Sequence, residues 1–121
     1  WVQDADSYPQ QLGRFLADPS LAVANGWSYL DAADLADAIR LAVECDLPGH
    51  EVFFLAAADA MGGRDLHESW RAAYPDSGTV PRPLPRPDAS PIDCRKAAAL
   101  LGWRPTRSWR DHLTDDGLPL R

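Results

Sequence analysis

Asp31 and Asp34 stand three residues apart, a spacing that invites comparison with paired carboxyl groups that work as general acid and base. Both also fall at the start of a predicted helix. There, a side chain at residue 31 can cap the first free amides, and an acid in the first turn interacts favourably with the helix dipole. We therefore interpret both aspartates as helix-start residues rather than as a catalytic pair.

Other residue types that carry chemistry lack the spacing that the chemistry requires. His50, His67 and His112 fall in different predicted elements, and no two of them show the i, i+4 spacing of helical metal ligands. Cys45 and Cys94 lie far apart without a second pair, so we expect buried or idle thiols rather than a disulfide. No serine stands in a Gly-x-Ser-x-Gly turn. The sequence therefore predicts neither a metal site nor a hydrolase nucleophile.

Composition limits the classes of partner. The chain has 121 residues, the size of one domain, with 18 acidic against 12 basic residues and a net charge of -6. That charge repels a phosphate backbone, so a nucleic-acid partner is not expected. The longest apolar run, residues 52–58, is too short to span a bilayer, and no membrane partner is expected either. We expect a soluble cytoplasmic protein.

Hydrophobic periodicity and turn residues predict the elements that position these side chains. The fold class is α/β, because helical and extended patterns alternate along the chain. A Pro-rich connecting segment covers residues 79–91, with a brief extended piece near Val80, and an irregular tail covers 104–121. The predicted helices are 8–17, 32–45, 65–74 and 94–101, and the predicted strands are 27–30 and 52–58.

The apolar run at 52–58 has no adequate partner strand in this sequence. An almost unbroken apolar run that follows a Pro-Gly turn is typical of a strand covered on both faces of a parallel sheet. Only residues 27–30 and 79–82 are available to pair with it, and both patterns are weak. The main parallel sheet is therefore expected to lie largely outside the chain.

Three stretches together resemble the C-terminal part of the NAD-dependent epimerase/dehydratase family, the extended short-chain dehydrogenase/reductases. Residues 27–36, Trp-Ser-Tyr-Leu-Asp-Ala-Ala-Asp-Leu-Ala, resemble a strand-to-helix segment of the family. Residues 49–57, Gly-His-Glu-Val-Phe-Phe-Leu-Ala-Ala, are similar to its next strand, with Phe54 where Asn is common. Residues 93–105 are the most specific match, close to the closing pattern Asp-x-x-Lys-Ala-x-x-x-Leu-Gly-Trp-x-Pro.

The resemblance implies the C-terminal portion of a Rossmann-like fold that belongs to an NAD- or NADP-dependent oxidoreductase. The family's glycine-rich cofactor turn is absent here, and so is its Tyr-x-x-x-Lys pair, since Ile92 stands four residues before the single lysine, Lys96. The chain also opens at Trp1 without an initiator Met. We therefore expect a substrate-side fragment, inactive alone and without catalytic or cofactor-binding residues of its own.

The resemblance also points to a small-molecule substrate, such as a sugar. The segments that line the substrate pocket in nucleotide-sugar members correspond to Trp27 and Tyr29 and to the stretch that holds Arg82 and Arg86. An arginine there can bind a diphosphate through two hydrogen bonds. Trp27 stands where those members often have arginine, which puts a nucleotide-sugar substrate in question.

A different class of function remains open. The same portion of fold could serve as a non-catalytic binding or oligomerisation module. An open apolar strand edge recruits another strand, so we expect either a homo-oligomer or completion by an N-terminal cofactor domain.

Overall fold

The computed structural model of the chain describes residues 1–79 and 82–120. Within these residues, no helix combines the length and the hydropathy needed to cross a bilayer. The extended piece predicted near Val80 falls outside the described residues.

The first helical region follows a short strand, β1 (Val2–Gln3). A single π-helical stretch, Tyr8–Leu12, runs directly into α1 (Gly13–Ala17), so the helix predicted over 8–17 is present. It ends because Asp18 precedes a proline and adopts an extended conformation.

A 3-10 helix, Pro19–Asn25, leads into a tight turn and a second short strand, β2 (Leu30–Asp31). Trp27, with φ of 57°, adopts the left-handed conformation that non-glycine residues rarely adopt. The predicted strand at 27–30 is therefore wrong in its bounds, because the turn extends through Trp27.

β1 and β2 form a two-stranded parallel sheet in which Val2 pairs with Leu30 and Gln3 with Asp31. On the other side of β2, the carbonyl of Tyr29 accepts a hydrogen bond of 2.8 Å from the amide of Ala57. This contact brings the end of the apolar segment beside β2, and it links the two halves of the chain.

The longest helix, α2 (Ala32–Glu44), follows β2 directly, as the sequence predicts. The side chain of Asp31 accepts a hydrogen bond from the amide of Ala33, which confirms the predicted cap. Because the cap residue is also the last residue of β2, the strand fixes where the helix begins.

Residues 52–58 do not form the predicted strand. They adopt no regular secondary structure among the described residues. Phe53 and Leu55 pack against α2 and the last helix, whereas the side chains of Val52 and Phe54 remain 60% and 70% exposed. The expectation of a strand covered on both faces is therefore wrong for the part of the chain that the structure describes, because Val52 and Phe54 stay exposed while Phe53 and Leu55 are packed.

Two shorter helices follow, α3 (Leu66–Ala73) and α4 (Arg95–Leu101). The carboxylate of Asp65 caps α3 by accepting from the amide of Glu68. The helix predicted over 94–101 starts one residue later, with Cys94 at the cap position, and it ends as predicted at a left-handed Gly102.

Two residues of the tail predicted as irregular over 104–121 belong to the core. The tail contains a 3-10 turn, Trp109–Asp111, closed by reciprocal hydrogen bonds between Ser108 and Asp111. Trp109 and Leu113 are both buried. Apart from this turn, the described part of the tail has no regular helix or strand, and tertiary contacts rather than local periodicity order it.

The buried residues form two clusters. The larger lies among the N-terminal turns, α3 and the C-terminal segment, and the smaller lies between α2 and α4. The members of the smaller cluster are Leu30, Ala38, Ala97, Leu101 and Trp103.

Candidate functional site

A cleft of about 440 Å³ lies between residues 56–58 and one face of α4. Ala98 and Ala99 line it from α4, and Trp103 also lines it. Small side chains leave the space open, and the volume falls in the range of small-molecule sites. The cleft therefore can accept a ligand of modest size.

Charged side chains from three parts of the chain reach this cleft. Arg82 comes from the Pro-rich segment, Arg95 from the first turn of α4, and Arg104 from the segment after it. Asp93 supplies the one carboxylate among the described lining residues. Cations therefore exceed anions here, although the whole chain is acidic.

Asp93 is already held by two of these arginines. Arg95 donates from Nε to Oδ1 at 2.9 Å and from Nη2 to Oδ2 at 2.6 Å, and Arg82 donates from Nη1 to Oδ2 at 3.2 Å. The hydrogen bonds from Arg95, above all, hold the pKa of Asp93 well below its usual range. The carboxylate is therefore ionised at neutral pH, and these hydrogen bonds engage both of its oxygens.

Cys94 lines the same cleft but is not activated. Burial raises the pKa of its thiol, and its Sγ lies 3.8 Å from the carbonyl oxygen of Ala56. A nucleophilic cysteine needs a lowered pKa and nearby positive charge that acts on the thiolate. We therefore assign Cys94 a packing role.

The structure places Trp27 and Tyr29 in the interior. Trp27 is buried, and its indole Nε1 donates to the carbonyl of Pro19 at 3.0 Å. Tyr29 is 1% exposed, and its hydroxyl donates to Oδ1 of Asp59 at 2.6 Å while it accepts from the amide of Trp109 at 2.8 Å. Both polar groups are thus engaged within the chain.

The two arginines that were predicted to bind a substrate differ in their surroundings. Arg82 lines the cleft, whereas Arg86 is exposed and pairs with Asp88 at 2.7 Å. The structure therefore brings one of the four predicted substrate-binding residues to the cleft. The assignment of all four to a substrate stays a prediction.

A buried polar network centres on Asp59. Its Oδ2 accepts from Ser108 Oγ at 2.7 Å and from Arg110 Nη1 at 2.6 Å, in addition to the Tyr29 contact at Oδ1. Burial, and then the charge of Asp59, raises the pKa of Tyr29. Tyr29 therefore remains protonated as a structural donor rather than acting as an acid/base group at neutral pH.

Asp34 organises a second network with the segment after α4. Its carboxylate accepts from the amide and hydroxyl of Thr106, and from the amide and Nη1 of Arg107, at 2.7 to 3.0 Å. Burial by itself would raise the pKa of Asp34, but the hydrogen bonds from Arg107 and Thr106 outweigh it and lower the pKa. The interpretation of Asp34 as a first-turn acid is thus incomplete.

A third cluster surrounds Asp31. Its Oδ2 accepts from the hydroxyl of Tyr8 at 3.1 Å and lies 3.5 Å from Nε2 of His112. The rings of Tyr8 and His112 stack at 4.1 Å between centroids. Because the partners of Asp31 are side chains and backbone groups of the chain itself, this cluster joins the N-terminal turn to the C-terminal segment.

Sequence reasoning missed Arg95 and Arg104 as cleft residues. Neither residue belongs to a spacing pattern that indicates a binding site. Arg95 lies at the start of a helix, and Arg104 lies between Trp103 and Pro105. The position of Asp93 before α4 indicates only where that helix starts. It does not indicate the cleft beside the helix. Contacts between distant segments create the site.

Among the described residues, no group of three or more His, Cys, Asp or Glu side chains is placed to hold a metal ion. In comparisons with known proteins, no family model, no curated protein and no solved structure matches the chain.

Proposed function

We propose that this chain is the C-terminal, substrate-side part of an NAD(P)-dependent epimerase/dehydratase-like oxidoreductase that acts in the cytoplasm. In this proposal, residues outside the 121 supply the cofactor fold and the catalytic Tyr/Lys pair. The chain contributes binding surface for a small-molecule substrate such as a sugar. It has no complete active site of its own.

The unfinished edge at residues 51–56 carries this proposal. Among the described residues, none of these six amides donates a hydrogen bond to a backbone carbonyl. Val52 and Phe54 are largely exposed at the same place. Backbone amides without a carbonyl partner and exposed apolar side chains together are what a sheet strand presents when its neighbour is absent.

The position of the cleft agrees with the same proposal. Ala56, Ala57 and Ala58 line it, and they follow directly on the apolar run. In open α/β sheets, ligands bind outside the carboxyl ends of the strands. A substrate in this cleft would therefore lie where the completed sheet would present it.

The native polypeptide, isolated with its own N-terminus, tests the proposal. We expect a mass that adds on the order of 150 residues before Trp1, the size of one further domain. We also expect saturable binding of NAD or NADP, measured by titration calorimetry, with the isolated 121-residue chain as the control. A native start near Trp1, or a longer polypeptide that binds neither cofactor, contradicts the proposal.

A second candidate is a non-catalytic oligomerisation module, and the same open edge favours it. A second copy of the chain can pair with residues 51–56 and cover Val52 and Phe54, most simply as a two-fold dimer. The small-molecule cleft plays no part in this function.

Sedimentation of the isolated chain at micromolar concentration separates the two candidates. The module predicts a dimer that the double variant Val52→Asp/Phe54→Asp converts to monomer. The matched control Ile39→Asp/Val43→Asp changes two exposed apolar residues of α2 and should leave the dimer intact. A well-folded 13.3 kDa monomer contradicts the module.

A further inference from the structure

We infer that the cleft between residues 56–58 and α4 is a binding site for a small oxyanion, with Arg82 and Arg104 as its donors. The inference names the chemical class of ligand for the cleft in which the proposed function places a substrate, and it rests on the proposed function to that extent, but it requires no cofactor domain. It depends on the arrangement of charges in the cleft rather than on the open edge.

The charge balance of the cleft is opposite to that of the chain. Three guanidinium groups line it, from Arg82, Arg95 and Arg104, against the single carboxylate of Asp93. One of the three positive charges is neutralised, and two remain in a chain whose net charge is -6. A local excess of cations in a concave site raises the local concentration of anions.

Asp93 shows that the arginines can hold a carboxylate in the required geometry. The guanidinium of Arg95 grips it through Nε and Nη2, one to each oxygen, and Arg82 adds a third donor. Such paired contacts are the geometry by which arginine recognises carboxylate and phosphate groups. The carboxylate of Asp93 is thus a group of the same kind as the one that we expect in the ligand.

Arg104 is the donor that remains for a ligand. All side-chain carboxylates of the chain lie in the described residues, and none of them lies within ion-pair distance of Arg104. Arg82 also keeps donors beyond the one that contacts Asp93. An oxyanion between these two arginines would meet donors from both sides.

The side chains that line the cleft determine which ligand body can accompany the charged group. Alanines from residues 56–58 and from α4, together with Ile92 and Pro105, give the cleft an apolar lining. Such a lining suits a short apolar body attached to the charged group. The chemical class is therefore a small organic oxyanion, whose charged group is a phosphate or a carboxylate.

Titration calorimetry of the full chain with inorganic pyrophosphate and with malonate tests the site. We expect saturable binding of at least one probe. Binding of pyrophosphate alone assigns the site to phosphates, and binding of malonate alone assigns it to carboxylates. Arg104→Ala should weaken the Kd at least about tenfold, as expected for the loss of a charge-assisted contact. Asp93→Asn, which removes the competing charge, should tighten binding severalfold.

Arg40→Ala is the matched control, because Arg40 is exposed on α2 and pairs with Glu44 away from the cleft. It removes the same charge and should change the Kd less than about twofold. Equal weakening by Arg104→Ala and Arg40→Ala would show a nonspecific charge effect and overturn the site. Absence of saturation with both probes at millimolar concentration would also overturn it, whatever the result for NAD or NADP.

Discussion

The carboxylate of Asp34, in the first turn of α2, accepts hydrogen bonds from both the amide and the hydroxyl of Thr106, 72 residues later in the chain. The carbonyl of Asp34 also accepts from Nε1 of Trp103 at 2.9 Å. One residue thereby attaches the segment after α4 to the start of α2. Its interactions stabilise the fold through contacts that are distant in sequence.

Replacement of Asp34 by alanine should lower the free energy of unfolding by about 3 kcal/mol, because it removes a buried carboxylate that accepts four hydrogen bonds from Thr106 and Arg107. Urea denaturation measures this loss. Asp37→Ala is the control, since Asp37 is half exposed and lies 3.5 Å from the same Arg107. We expect the control to lose less than about 1 kcal/mol. Equal losses would show that the Asp34 network contributes no more than a surface ion pair.

Asp34 should also contribute to the acid sensitivity of the fold. Its pKa is lower in the folded chain than in the unfolded chain, so its contribution is complete above the unfolded pKa, near 4. That contribution is lost as the pH falls through the folded pKa. Stability measured from pH 5 down to pH 2 should therefore decrease less steeply for Asp34→Asn than for the unmodified chain. Parallel pH profiles would contradict the assignment.

Trp103 is a core anchor, with 2% of its surface exposed. Trp103→Ala should lower the free energy of unfolding by about 3 to 5 kcal/mol, as for other large-to-small core changes. Trp103→Phe retains most of the packing and loses the hydrogen bond to Asp34, so its loss should be smaller. Leu118→Ala, at a mostly exposed position, serves as the control. A loss below roughly 1 kcal/mol for Trp103→Ala would exclude the anchor role.

Gly63 is constrained by Arg110. Its φ is +59°, and a Cβ atom added there would overlap the end of the Arg110 side chain. Gly63→Ala should therefore destabilise the fold by about 1 to 3 kcal/mol. The control is Gly78→Ala, where φ is not in this region and a Cβ meets open space. In an Arg110→Ala background the cost of Gly63→Ala should fall but not vanish, because the backbone strain remains. An unchanged cost would show that Arg110 plays no part.

The isolated chain should bind neither NAD nor NADP, because it contains no glycine-rich turn and no Tyr-x-x-x-Lys pair. Titration calorimetry with each cofactor measures this directly. A dissociation constant in the micromolar range for the 121-residue chain would refute the prediction.

The sequence by itself determined the helices and their ends. The cap at Asp31, the prolines after the first helical region and the left-handed Gly102 act through their own backbone and near neighbours, so short-range patterns predict them.

Only the tertiary structure decided what the polar side chains do. From the sequence, Asp34 is expected at the start of a helix and Tyr29 in a substrate pocket. The sequence predicts no role for Asp59. The fold instead turns all three into buried partners of residues 106–110, through contacts separated by 49 to 80 positions. No periodicity encodes such pairs, because each depends on how the C-terminal segment folds back over α2.

The apolar run at 52–58 also separates what the residue types determine from what the tertiary structure decides. Its composition indicates a buried strand, but a strand exists only when another backbone accepts its amide hydrogens. Here the amide of Ala57 donates to the carbonyl of Tyr29. The amides of residues 51–56 donate to no backbone carbonyl among the described residues. Residue type thus determined that this segment favours burial, and the available neighbours decided that Val52 and Phe54 stay exposed.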